Sequence, residues 1–172
     1  MTSPLSIASV NALTSDIFNR QFGDIAEHSP WVAERAELAR PYADHAAMVL
    51  AFQKAVLDAD IDHQTKLILA HPDLAGRAAL AGEVANESKR EQKGAGLDTL
   101  TQEEFDQFHA LNDTYRSRFG FPFIFAVTGA TKHQILEAFA NRVSGTMEEE
   151  RLTALAQILR IIRFRLSARV VS

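Results

Sequence analysis

His71 lies in the run AHPDLAG, directly after the apolar residues Leu67, Ile68 and Leu69. Proline disfavours helical geometry in the residue before it, so Pro72 sets His71 where a helix stops. An imidazole there can take up or release a proton near neutral pH, the work of a general acid or base; a histidine at such a break also serves as a buried or capping side chain. Further on, in ESKREQKGAGL, Ser88, Glu91 and Gln92 put a hydroxyl, a carboxylate and an amide within five residues, a composition shared by solvated helical turns. Arg165 follows Ile158 and Ile161 at 3,4 spacing, on the shoulder of an apolar stripe. A half-buried guanidinium needs an anion, either a structural carboxylate or a substrate. The residues by themselves reach a candidate His/Glu/Arg site.

Other chemistries lack their residues. The six histidines, at 28, 45, 63, 71, 109 and 133, include no pair three or four apart, so no HExxH zinc motif exists and no metal is expected. Asp58, Asp60 and Asp62 open like a calcium loop, but the sixth position is His63 instead of Gly and the twelfth is Leu69 instead of Glu, which leaves a solvated helix end. Gly94 and Gly96 are followed three positions later by Thr99, so the dinucleotide fingerprint fails, and there is no Gly-Lys-Ser/Thr phosphate loop. The basic run Arg160, Arg163, Arg165 and Arg169 shares its helix with Glu148, Glu149 and Glu150. Acid at the start and base at the end complement the helix dipole. Across 172 residues, 18 Lys+Arg against 22 Asp+Glu give a net charge of −4, so no global positive field draws in nucleic acid or acidic lipid. Cysteine is absent, and with it thiolate nucleophiles, disulfides and Cys-based metal sites. No leader or membrane-spanning run is visible, and the terminal Val170, Val171, Ser172 is not a peroxisomal signal, which leaves a cytoplasmic protein as the expectation.

The elements that must position these residues read as helices. With 8 Gly, 5 Pro and no period-two apolar runs, the chain is expected to be all-α, a single-domain bundle over residues 1–172. Asp44 is an expected N-cap, with Met48, Phe52, Val56 and Ala59 on one face. Thr101 with Glu104, and Thr131 with Gln134, have capping-box spacing. The first leads into Phe105, Phe108, Leu111, Tyr115 and Phe119, the second into Ile135, Leu136, Phe139 and Val143. Near Glu148 a last helix begins, with Leu152, Leu155, Leu159, Ile162 and Leu166 as its buried stripe. Two stretches resist. Ala81 to Thr99 is polar and Gly-punctuated, a surface excursion or a short helix within a loop. Gly120 to Gly129, GFPFIFAVTG, reads as a buried extended segment near 121–128 with no partner strand, whose backbone polar groups must be satisfied in some other way, a polar ligand being one.

Taken together, HPDLAG, then S-x-x-E-Q with GAGL, then F-x-x-L-N-x-x-Y-x-x-x-F-G-F-P-F-I, then a last helix ending I-x-x-x-R-L closely resemble the OHCU decarboxylases of ureide metabolism. The early HSPWVAERA segment, His28 to Ala36, is similar too, so the resemblance runs from about residue 7 to about 168. Val143, Ser144 and Gly145 depart from the family pattern, at a helix end away from the candidate site. The resemblance implies an all-α fold, usually a homodimer. It also implies cofactor-free removal of CO₂ from 2-oxo-4-hydroxy-4-carboxy-5-ureidoimidazoline to give (S)-allantoin. Carried over by position, His71 is the catalytic histidine, Ser88, Glu91 and Gln92 contact substrate, Pro72 and the backbone of Phe123, Ile124, Phe125, Ala126 and Val127 line the pocket, and Arg165 is the anion partner.

The chemistry agrees with that assignment. Losing CO₂ leaves an electron pair that the substrate ring's own imine can accept, so no cofactor is required as a sink. His71 is then expected to manage the proton of the C4 hydroxyl or of the developing ring charge, with Glu91 orienting it. Two rivals stand beside this reading: a non-catalytic binding module on the same scaffold, and a decarboxylase of a related ureido acid.

Overall fold

Hydroxyl and carboxylate side chains fix most helix starts by accepting a hydrogen bond from a backbone N–H three residues on, a donor the helix itself leaves unpaired. The computed structural model describes residues 4–76 and 85–171. Ser6 opens α1 (Ile7–Asn11), Thr14 opens α2 (Ser15–Phe22), Asp44 opens α4 (His45–Leu57) and Asp60 opens α5 (Ile61–Leu69). Thr101 and Thr131 open α7 (Gln102–Phe119) and α8 (Lys132–Arg142), both with the expected reciprocal box. The last helix, α9 (Met147–Arg169), has the same device: Glu149 N–H donates to Thr146 Oγ1, and Thr146 N–H to Glu149 Oε2. That Thr-x-x-Glu spacing stands in the sequence as plainly as the other two. Two further helices, α3 (Trp31–Glu37) and α6 (Asn86–Gly94), start without a side-chain cap.

The chain is mostly helical, as expected; among the described residues the only sheet is a parallel pair, Leu5–Ser6 (β1) with Val170–Val171 (β2), in register Leu5 to Val170. No helix of the described residues is long and apolar enough to cross a membrane.

The Cα framework divides into two compact units, one of residues up to Ala70 and from Leu159 on, the other His71–Ile158. In the first, Phe18, Phe22, Met48, Phe52 and Val56 are buried together with Ile162 and Leu166, and Phe18, Phe22, Phe52 and Tyr42 form one ring cluster. In the second, Tyr115 is ringed by Phe119, Phe121, Phe123 and Phe139, and Phe123 stacks on Phe139 at 3.8 Å between centroids. Each such ring contributes about 2–3 kcal/mol by leaving water.

The stripe expected on α9 needs correction at its first member. Leu152 is 53% exposed, whereas Ala154, Leu155, Ile158, Ile161, Ile162, Arg165 and Leu166 are buried. Two adjacent rows, 154/158/161/165 and 155/159/162/166, face inward, with Leu159, also expected in the buried stripe, only half-buried. A helix covered on a wide face buries both rows, and the end residue Leu152 falls outside the cover.

The polar excursion contains α6. Residues 81–84 of it lie outside the described residues, as do 77–80 and the extreme termini. Gly120 closes α7 with φ +75°, the left-handed geometry that a side chain would strain. From there 121–127 lies in neither helix nor strand and has no strand partner among the described residues.

Candidate active site

Helix α5 ends at Leu69, and His71 stands just beyond, 6% exposed. The five residues after it, Pro72 to Gly76, are irregular: Gly76 N–H reaches Asp73 O at 3.4 Å, and side chains supply further partners. Three consecutive residues are gripped. Arg116 Nε donates to both oxygens of Asp73, at 2.9 and 3.1 Å. Asn112 Nδ2 donates to Leu74 O at 2.9 Å, and Ala75 N–H donates to Gln92 Oε1 at 3.0 Å. Ala75 has φ +50°, a conformation that costs a residue with a Cβ about 1–2 kcal/mol and persists because its surroundings hold it.

The Gln92 bond ties this loop to α6. On that helix Ser88, Glu91 and Gln92 fall at i, i+3 and i+4 and share one face; Ser88 and Gln92 are buried and Glu91 is half-buried. The solvated-turn reading of these residues is therefore corrected: their polarity is turned inward, where each polar group needs a partner. Since Gln92 Oε1 accepts from Ala75, its amide orientation is settled. Its Nε2 is the end that finds no protein partner among the described residues.

A cleft of ≈ 530 Å³ opens beside the loop, lined by Pro72, Asp73, Gly76, His109, Asn112, Asp113 and Arg116. The last four recur at 3 and 4 along α7, so they share one face, a signal present in the sequence that did not single them out. Asn112 and Tyr115 stand in the F-x-x-L-N-x-x-Y motif, whose spacing alone points to no role for either. Asn112 Oδ1 and His109 Nε2 have no protein partner among the described residues. Among those residues, no three His, Asp or Glu side chains come together as metal ligands would.

The segment 121–127 is fixed differently. Phe123, Ile124, Ala126 and Val127 are buried, and Phe125 is half-buried. Arg142 Nη1 donates to Ile124 O at 2.7 Å, and its guanidinium lies 4.4 Å over the Phe123 ring. Ala126 N–H donates to Gln157 Oε1 at 2.9 Å. Arg142 is in turn held by Glu150, which also accepts a hydrogen bond from the Tyr115 hydroxyl. Burial, and after it the Glu150 carboxylate, raises the Tyr115 phenol above its ordinary range, so Tyr115 stays a donor.

Arg165 belongs to the first unit. It is 4% exposed, and Nη1 and Nη2 both lie 3.2 Å from Glu27 Oε2, with Ile25 O also accepting from Nη1. Of the two anions the sequence left open, a structural carboxylate is present. Glu27 was not singled out from sequence; it directly precedes the His28–Ala36 segment.

Residues 11–167 match the model of the family described as OHCU decarboxylase. Over 165 residues, 96% of each chain, the protein is 41% identical to 2-oxo-4-hydroxy-4-carboxy-5-ureidoimidazoline decarboxylase of Haloferax volcanii. It is 39% identical over 158 residues to the uric acid degradation bifunctional protein PucL of Bacillus subtilis, covering 92% of this chain and 31% of that one. Among solved structures it is similar to an (S)-allantoin synthase, with a TM-score of 0.78 and 30% identity, over 96% of this chain and about half (54%) of that one. An OHCU decarboxylase structure shares the fold, with a TM-score of 0.69 at 18% identity over 86% of this chain and 94% of that one.

Proposed function

The chain belongs to the OHCU decarboxylase family and is a carboxy-lyase of urate degradation; from that premise we propose that His71 and Glu91 carry out its chemistry. The reaction removes CO₂ from 2-oxo-4-hydroxy-4-carboxy-5-ureidoimidazoline and leaves (S)-allantoin. The observation that carries the site is the bond from Ala75 N–H to Gln92 Oε1, which joins the HPDLAG loop to the Ser88/Glu91/Gln92 face of α6. Two motifs far apart in sequence thereby become neighbours.

As the bond from C4 to the carboxylate breaks, its electron pair enters the ring and the imine nitrogen gains a proton. The enol so formed becomes allantoin by losing the C4 hydroxyl proton and gaining one at the adjacent ring carbon. Each of these transfers suits an imidazole, and His71 is the group we assign to them, with Glu91 orienting it. Pro72 stiffens the chain beside it. Ser88 and Gln92 contact the substrate, Gln92 through the Nε2 end that the Ala75 bond leaves over. The backbone of Phe123, Ile124, Phe125, Ala126 and Val127, pinned by Arg142 and Gln157, offers preorganised polar groups to a flat heterocycle and presents one ring face to the proton donor. Arg165 remains the proposed anion partner, its fork oriented by Glu27. The family match covers residues of both units, which supports reading 1–172 as one domain. A cytoplasmic homodimer completes the proposal, and a monomer mass in sedimentation would count against the dimer.

Circular dichroism with freshly generated urate-oxidation product tests the activity. The protein should accelerate the appearance of (S)-allantoin over the slow background. A rate equal to background removes the catalytic reading in favour of a binding module, and racemic early product removes the role given to 123–127.

A further inference from the structure

We propose that Asn112, with Arg116 one turn further along α7, is a positioning residue for the decarboxylation: the two side chains grip the residues after His71 and so fix its imidazole. The inference rests on the assignment of His71 as the catalytic histidine.

Its starting point is a misfit. Along the stripe Phe108, Leu111, Asn112, Tyr115 and Phe119, Asn112 is an amide at a position where packing alone favours an apolar side chain, and it is 5% exposed. A buried amide is unfavourable unless its hydrogen bonds are made. Asn112 uses its donor on Leu74 O at 2.9 Å, across 38 positions of sequence, and leaves Oδ1 without a protein partner among the described residues. An amide retained for packing has no reason to reach a loop carbonyl. One retained to hold that loop does.

The loop needs holding. From Pro72 to Gly76 no helix or strand supports the chain, and Ala75 stands at φ +50°. Arg116 holds Asp73, Asn112 holds Leu74 and Gln92 holds Ala75, so three consecutive residues are each fixed by a different side chain. Asn112 and Arg116 stand four apart on one rigid helix, so their grips on Leu74 and Asp73 act together. His71 is then tied to the loop through Pro72, whose ring removes one backbone freedom. Misplacing a catalytic group by about 1 Å costs on the order of 100-fold in rate, so a grip of this kind is worth keeping.

The test uses the full chain with Asn112→Asp, which keeps the shape of the side chain and removes the donor to Leu74 O. It should lower kcat by about 30- to 100-fold. Binding of (S)-allantoin by calorimetry should stay at one per chain, because the folded site persists. Arg116→Ala, at a side chain that is 45% exposed and safe for folding, should lower kcat by a few-fold with the same stoichiometry. Turnover within twofold of the parent in Asn112→Asp overturns the inference, and so does a loss of turnover matched by an equal loss of binding stoichiometry. If Asn112→Asp does not fold, Arg116→Ala decides: reduced kcat at full stoichiometry supports the grip, and unchanged kcat overturns it. His71→Ala separates the two levels. Inactivity there beside a fully active Asn112→Asp removes only the positioning role, whereas turnover surviving in His71→Ala removes the catalytic assignment and this inference with it.

Discussion

Two irregular stretches of the His71–Ile158 unit meet the same need, partners for groups outside any helix or strand, with a different balance of amides, charge and rings. The loop 71–76 is held by neutral amides and an exposed ion pair, and the amides keep a second polar end: Gln92 Nε2 and Asn112 Oδ1. The segment 121–127 is held by ring stacking, by the Gln157 amide at Ala126 N–H and by the half-buried Arg142 guanidinium, whose charge is matched by Glu150. An amide that satisfies the loop with one end has a second polar end, so Gln92 is able to combine its grip on Ala75 with the substrate contact proposed for it. Paired charge and stacked rings commit wholly to structure. They make the second stretch rigid, which suits the wall proposed for its backbone.

That contrast predicts unlike responses. His71→Ala should reduce turnover by about 1,000-fold, within the span general acid–base catalysis commands, and leave the denaturation midpoint in urea near its parent value. A large fall in that midpoint would mean the loop, too, is chiefly structural. Arg142→Ala should do the reverse. It strands Glu150 and frees Ile124 O, costing about 3 kcal/mol of stability in urea unfolding, with only a secondary loss of activity per folded molecule. Arg165→Lys, which keeps charge and loses the planar fork, should raise KM about tenfold with kcat less affected. An unchanged KM would confine Arg165 to its pairing with Glu27.

The smallest effect is expected far from both stretches. Hydrogen bonds from Ser15 first, and from Arg40 and Asn19, hold the Glu37 carboxyl below its ordinary 4.5 against the opposing effect of burial. The folded state therefore binds this proton less readily than the unfolded one. The stabilisation is present above pH about 4.5 and fades as pH falls through the lower folded value. Glu37→Gln should flatten that part of the acid limb of the stability curve and leave turnover at neutral pH unchanged. A change in turnover would show that the first unit also governs the chemistry.

Much of this was legible without coordinates because it depends on local chemistry. Capping pairs such as Thr101/Glu104 act within four residues, and Pro72 acts on its own neighbour, so the helix starts and the break at His71 follow from spacing. The inward turn of Ser88 and Gln92 was not legible. Their composition matches a solvated turn, and only packing decides which face of α6 is covered. Leu152 erred for the same reason, since periodicity tells which residues share a face and not how far its cover extends.

Residue types and order alone determined that the chain is helical, that it carries no thiol or zinc motif, and that its motifs resemble one decarboxylase family. Tertiary structure decided the partners: Asn112 for Leu74, Gln92 for Ala75, Glu27 for Arg165 and Glu150 for Arg142. Helix starts and stops depend on dihedral preferences and neighbours within one turn, which a sequence states directly. Hydrogen bonds across 17, 38 or 138 positions depend on where separate elements come to rest, and no local rule holds that information.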